Sequence, residues 1–158
     1  MKTGVFSLVS LMIASDHGGW ILKEEIKKQF PQVKWVDLGS ESKTESVDYP
    51  DFADRLCKNI SPSADGPQGI LICGSGQGMA MRANKYPLVR AALVWNEEST
   101  QLSREHNNAN ILCLGARLLS KELAFHCIKT FLETPFAGGR HSLRIEKLNQ
   151  SIQSINSK

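Results

Sequence analysis

The chain has 158 residues, of which 41% are apolar and 22% charged, and a formal net charge of +3. That length and balance suit one domain with a real hydrophobic core, spanning 1–158, and the dispersed basic residues form no stripe of the kind that binds nucleic acid or a membrane surface. The four cysteines, at 57, 73, 113 and 127, form no Cys-x-x-Cys pair and no zinc-type spacing, so no metal site is expected and reduced thiols in the cytoplasm are the simplest reading.

Taken in chain order, the first apolar run, 5–14, follows Lys2 with the charge and length of a weak secretion signal. It is too short to span a bilayer. Read as a first buried strand at 8–14, it leads into Ser15-Asp16-His17-Gly18-Gly19, a strand-to-helix turn bearing functional groups. Hydrophobic periodicity then places a helix at 20–29, a strand at 33–37, a helix at 51–59, a strand at 69–72 and a helix at 77–84. A strand at 90–94, a helix at 97–106, a strand at 110–114 and a helix at 121–133 complete the series. Crossovers of this length join parallel strands and lay their helices on both faces, so the repeated βα unit predicts a three-layer α/β/α sandwich around a five-stranded, parallel, Rossmann-like sheet. A last helix, 142–155, lies outside the repeat, and its apolar stripe of Leu143, Ile145, Leu148 and Ile152 reads as a face for a partner subunit.

The stretch 69–78, GILICGSGQG, carries the chemistry: a buried-type strand runs into Cys73 and then a glycine-rich turn that opens a helix near Gln77. Glycines at 74, 76 and 78 permit positive φ angles and let a ligand approach main-chain N–H groups, which is how an oxyanion is held without a cation. A helix N-terminus beside a thiol can lower its pKa from about 8.5, making Cys73 a candidate base. Alternatively, the same residues would make a core thiol and a plain corner.

In a parallel sheet the ligand site lies outside the carboxyl ends of the strands. The residues just after each strand are Asp16 and His17, Cys73 and Ser75, Asn96, and Arg117. Arg140 and Arg144, after Gly138 and Gly139, lie one helical turn apart if the last helix has begun, and a guanidinium fork suits a phosphate dianion.

At this point the chain resembles the family of ribose-5-phosphate isomerase B and galactose-6-phosphate isomerase. The likeness rests on Ala14-Ser15-Asp16-His17-Gly18-Gly19, Asp48-Tyr49-Pro50, the stretch 69–78, Ala83-Asn84-Lys85, Ser103-Arg104-Glu105-His106-Asn107, Leu114-Gly115-Ala116-Arg117, and Gly138-Gly139-Arg140-His141 with Arg144. It implies an aldose–ketose isomerase that needs no cofactor and interconverts ribose 5-phosphate and ribulose 5-phosphate, a step of the non-oxidative pentose phosphate pathway. By resemblance, Cys73 moves the proton between C2 and C1, and His106 opens the furanose ring. Gly74, Ser75, Gly76, Gln77 and Gly78 hold the enediolate oxygens. Asp16, His17 and Asn107 match sugar-contacting positions, and Arg117, Arg140 and Arg144 match those around the phosphate. Some family members place a glutamate just beyond the glycine turn instead of the cysteine, but here Met79 and Ala80 follow.

His106 closes a helix and precedes the fifth strand, so it belongs at the amino edge of the sheet, whereas Cys73 belongs at the carboxyl edge. If both act on one sugar, the site is shared between chains of a homodimer or dimer of dimers, with His106 and Asn107 contributed in trans. Isomerases of allose or galactose 6-phosphate fit the same motifs, since one or two pocket side chains choose between five and six carbons. A dinucleotide-binding module fits less well: the spacing is not Gly-x-Gly-x-x-Gly and the turn follows the third strand. A thiol hydrolase would use Cys73 as nucleophile and release product from esters. A noncatalytic sugar-phosphate binder would leave a Cys and a His beside one ligand unexplained.

Overall fold

A computed structural model describes residues 10–151. The elements are β1 (Ser10–Ser15), a 3-10 turn (His17–Gly19), α1 (Trp20–Gln29), β2 (Lys34–Asp37), α2 (Tyr49–Cys57), β3 (Gly69–Cys73), α3 (Gln77–Ala83) and β4 (Ala91–Leu93). They continue with α4 (Glu97–Asn107), β5 (Ile111–Gly115), α5 (Lys121–Glu133), a second 3-10 turn (Gly139–His141) and α6 (Ser142–Leu148). The five strands are all parallel, in the order β2-β1-β3-β5-β4.

Composition explains that order. Every residue of β3 and of β5 is buried, as unbroken apolar runs demand, and both strands lie inside the sheet. At the edges lie β2, which exposes Lys34 and Asp37, and the short β4, whose residues are all half-buried. Alternation along the central strands splits the core in two. Leu11, Ile13, Ile70, Ile72, Leu112 and Leu114 face α1 and α5, while Ala14, Leu71, Cys73, Ile111 and Cys113 face α2 and α3. The expected α/β/α sandwich is therefore present, with α4 packed beside α5.

Side chains fix where helices begin. Asn96 and Ser99 make a reciprocal capping box on α4, with the Ser99 N–H donating to Asn96 Oδ1 at 2.7 Å, and the Ser120 hydroxyl accepts the Leu123 N–H at the start of α5. Helix α2 starts two residues earlier than the expected 51–59, because Pro50 sits comfortably in a first turn. The helix expected over 142–155 is shorter: it ends at Leu148, and Asn149, Gln150 and Ser151 are not helical. These three polar residues bring no apolar contact to hold a further turn, and the Asn149 side chain instead accepts a hydrogen bond from Arg90 Nη1 at 3.1 Å. Of its expected stripe, Ile145 is buried within the chain while Leu143 and Leu148 are exposed; Ile152 lies outside the described residues, as do positions 8 and 9 of the first expected strand.

One buried cation organises the segment after β2. Lys23, on α1, is 1% exposed and donates to Asp37 Oδ1 and to the Ser40 carbonyl, both at 2.7 Å. Although partial burial acts against its charge, the Lys23 and Lys27 ammonium groups and the Gly39 N–H hold the Asp37 carboxyl below the usual carboxylate range.

Candidate active site

The order β2-β1-β3-β5-β4 reverses direction between β1 and β3, and an open parallel sheet binds its ligand at such a point. The carboxyl ends of three adjacent strands meet there: β1 delivers Asp16, β3 delivers Cys73, and β5 delivers Arg117. A cleft of about 490 Å³ opens over them, lined by Asp16, Tyr49, Cys73, Gly74, Ser75, Gly78, Met81, Arg117 and Leu118.

Cys73 is 5% exposed, and its Sγ accepts the Gly76 N–H at 3.1 Å. The turn that makes this contact needs glycine at 76. Its φ is +75°, and a Cβ there would lie 2.7 Å from Leu93 Cδ1 and 2.9 Å from the Leu114 carbonyl carbon. The cradle is smaller than the sequence implies. The Gly76 N–H is taken by the sulfur and that of Gln77 by Ser75 Oγ at 3.4 Å. The N–H groups of Gly74, Ser75 and Gly78 meet no acceptor among the described residues, so three donors remain for an oxyanion.

Arg117 lies across this turn. Its main-chain N–H donates to the Gly74 carbonyl at 3.0 Å, and its guanidinium carbon lies 3.3 Å from where a Cβ on Gly74 would stand. Exposed and without an ion pair among the described residues, the guanidinium is open to an anion from the cleft. Asp16 spends Oδ1 on the Gly19 N–H at 2.9 Å, capping the first 3-10 turn, and this fixes its carboxylate at the cleft wall. His17 Nδ1 accepts the Val47 N–H at 3.2 Å, which puts the neutral ring's proton on Nε2 and pins the segment before α2.

The other thiols are of a different kind. Burial, reinforced by the Asp54 carboxylate, pushes Cys57 up to about 12; burial also raises Cys113 well above the ordinary thiol range and Cys127 above it. They are protonated packing groups. Tyr49, Met81 and Leu118 are the cleft residues to which sequence reasoning gave no role, and Tyr49 is the polar one. Its ring lies against Gly78, where a Cβ would come within 2.5 Å of Tyr49 Cζ. The Asp48-Tyr49-Pro50 motif at a helix start was its signal. Asn96, on the short list of post-strand residues, serves as a helix cap and does not line the cleft.

His106, Asn107, Arg140 and Arg144 do not line the cleft either. They lie at the opposite, amino edge, separated from Cys73 by a five-residue strand that rises about 16 Å. Asn107 borders a second cleft, of about 440 Å³, with Asn84, Arg90, Ser103 and Leu148. The ring of His106 stacks on that of His141, with centroids 4.3 Å apart. The condition for Arg140 and Arg144 to lie one α-helical turn apart is not met: Arg140 belongs to the 3-10 turn Gly139–His141, which runs directly into α6, where Arg144 lies. Both are exposed and unpaired among the described residues. Among the described residues no group of three or more His, Cys, Asp or Glu is placed to hold a metal ion, and no helix is long and apolar enough to cross a membrane.

A parallel sheet that gathers a thiol, free backbone donors and an arginine at its switch point is an α/β protein of the class that binds small anions there. Comparison with known proteins narrows the class. The sequence profile described as Ribose/Galactose Isomerase matches residues 11–148, and the chain belongs to this family. It is 38% identical to ribose-5-phosphate isomerase B of Escherichia coli over 144 residues, covering 89% of this chain and 95% of that one. The solved ribose 5-phosphate isomerase of Thermotoga maritima superposes with a TM-score of 0.84 at 47% identity, over 90% of this chain and 99% of that chain. Ribose-5-phosphate isomerase B of Mycoplasma genitalium, solved with bound ribulose 5-phosphate, gives 0.81 at 39% identity, over 96% and 99%.

Proposed function

We propose that this protein interconverts ribose 5-phosphate and ribulose 5-phosphate, with Cys73 as the base at C2 and C1. The observation that carries the reading is the placement of the Cys73 sulfur in the cleft, beside three free main-chain N–H groups and the Arg117 guanidinium. Moving a proton alpha to a carbonyl calls for a base and for fixed donors at the oxygen where charge develops. The likeness to a relative that holds ribulose 5-phosphate favours the pentose.

The reaction runs in balanced steps. His106 protonates the ring oxygen of the furanose as the C1 hydroxyl loses its proton, the C1–O4 bond breaks, and a C1 aldehyde forms. The Cys73 thiolate removes the C2 proton, and the electron pair forms the C1–C2 double bond, leaving an enediolate oxygen facing the Gly74, Ser75 and Gly78 N–H groups. Transfer of the C2 hydroxyl proton to the C1 oxygen, and return of the sulfur-borne proton to C1, give the ketone and restore the thiolate. The hydrogen bond from the Gly76 N–H fixes the position of the sulfur at the turn. A reducing compartment such as the cytoplasm keeps the thiol free.

The site is completed in a homodimer or a dimer of dimers. Cys73 and His106 sit at opposite edges of one sheet, and a twofold axis brings the amino edge of one chain over the cleft of the other. Exposed apolar side chains support this pairing: Met81 and Leu118 at the cleft, Leu143 and Leu148 on α6. Residues 1–158 act as a single domain in this arrangement. Rates with ribose 5-phosphate, allose 6-phosphate and galactose 6-phosphate test the substrate. The highest kcat/KM is expected for ribose 5-phosphate, and a clear preference for either hexose would overturn that choice.

A further inference from the structure

The one stacked ring pair among the described residues lies outside the cleft. The imidazoles of His106 and His141 are nearly parallel, with centroids 4.3 Å apart and an interplanar angle of 12°. They belong to different elements, the last turn of α4 and the 3-10 turn Gly139–His141. Two hydrogen bonds clamp the connecting segment to α4: Ala137 N–H to the Glu105 carbonyl at 3.0 Å, and Arg104 Nε to the Thr134 carbonyl at 3.2 Å. His141 is 8% exposed and makes no side-chain hydrogen bond among the described residues, while His106 is half-buried. What His141 offers is therefore its face.

We propose that His141 is a positioning residue for ring opening: a flat, neutral platform that sets the plane of the His106 imidazole and ties it to the arginines, Arg140 and Arg144, on either side of His141 in sequence. The inference rests on the ring-opening role given above to His106. A histidine side chain has two free rotations, and a stack against a clamped ring removes most of that freedom before substrate arrives. Neutrality matters because a second imidazolium would repel His106 whenever His106 holds its proton. Burial, then the neighbouring His106, Arg140 and Arg144, keep His141 below the ordinary histidine range.

The test separates ring opening from proton transfer. Ribulose 5-phosphate has no ring to open, because the oxygen that would close it carries the phosphate, so exchange of its C1 protons with solvent deuterium reports the Cys73 step alone. Isomerisation of ribose 5-phosphate needs both steps. His141→Leu is expected to lose on the order of 100-fold in kcat on ribose 5-phosphate, the cost of misplacing a catalytic group by about 1 Å, while its exchange rate stays near that of the unaltered protein. His141→Phe, flat and neutral, is expected to keep both activities. Equal loss of both activities in His141→Leu, unchanged activity in that variant, or loss of ring opening in His141→Phe would each overturn the inference. Where thermal unfolding shows that His141→Leu does not fold, His141→Phe decides alone. If the unaltered protein neither isomerises nor exchanges, the proposed function itself fails, which is a different result from an unexpected pattern among the variants.

Discussion

The two edges of the sheet are built on different principles. At the carboxyl edge the groups are held by backbone: Asp16 by the Gly19 N–H, Cys73 by the Gly76 N–H, and Arg117 through its own N–H to the Gly74 carbonyl. At the amino edge Asn107, Arg140 and Arg144 project from helix ends into the open, and only the histidine stack holds a ring in place. The first edge is preorganised for a reacting atom. The second is a set of charged and polar groups awaiting a surface to work on, and neither edge alone contains a base, an acid and the full phosphate grip. On the proposed reading, each edge is half of a site.

The sharpest way to break this contrast is at the sulfur. Cys73→Ala is expected to lower both isomerisation and C1 proton exchange by about 10³-fold or more, with little change in thermal stability. Retained exchange would remove Cys73 from the chemistry. Next in size, His106→Ala is expected to cost about 100-fold on ribose 5-phosphate and little in exchange of ribulose 5-phosphate, because only the first needs the ring opened. Equal losses on both would contradict that division of labour. A smaller effect belongs to the floor of the cleft. Gly74→Ala places a Cβ 3.3 Å from the Arg117 guanidinium carbon, so the arginine must shift; KM is expected to rise about tenfold with kcat less affected, consistent with a lost charge-assisted contact.

The smallest effect is on stability and concerns the amino edge. Because the folded state holds His141 below the ordinary value of 6.5, the unfolded chain binds a proton that the folded chain refuses as pH falls below 6.5. The neutral ring's contribution is complete above 6.5 and declines as pH drops toward the lowered folded value. His141→Phe should flatten that part of a plot of thermal midpoint against pH, and an unchanged slope would mean that His141 titrates like a free histidine.

What the sequence disclosed was chiefly local. Unbroken apolar runs identified β3 and β5, and closely spaced glycines after Cys73 marked the turn, because strand burial and turn geometry are written in consecutive residues. Contacts between distant residues were not legible. Nothing near Tyr49 says that its ring will lie on Gly78, nothing near His17 says that it will accept the Val47 N–H, and the Arg117 guanidinium reaches Gly74 only because β3 and β5 are neighbours. The donors of the glycine turn were overcounted for a related reason. Spacing gives the number of N–H groups, but only three-dimensional geometry shows that Gly76 spends its own on the sulfur. Asn96 was ambiguous because one position, after a strand and before a helix, serves equally for a ligand group and for a cap.

Mixing inactive Cys73→Ala and His106→Ala proteins, after dissociation and reassociation, addresses the two-edge account most directly. Random pairing makes half of the dimers hybrid, each with one intact site, so about a quarter of the unaltered protein's activity on ribose 5-phosphate should return. No recovered activity, in a mixture where subunit exchange is independently demonstrated, would contradict a site shared between chains.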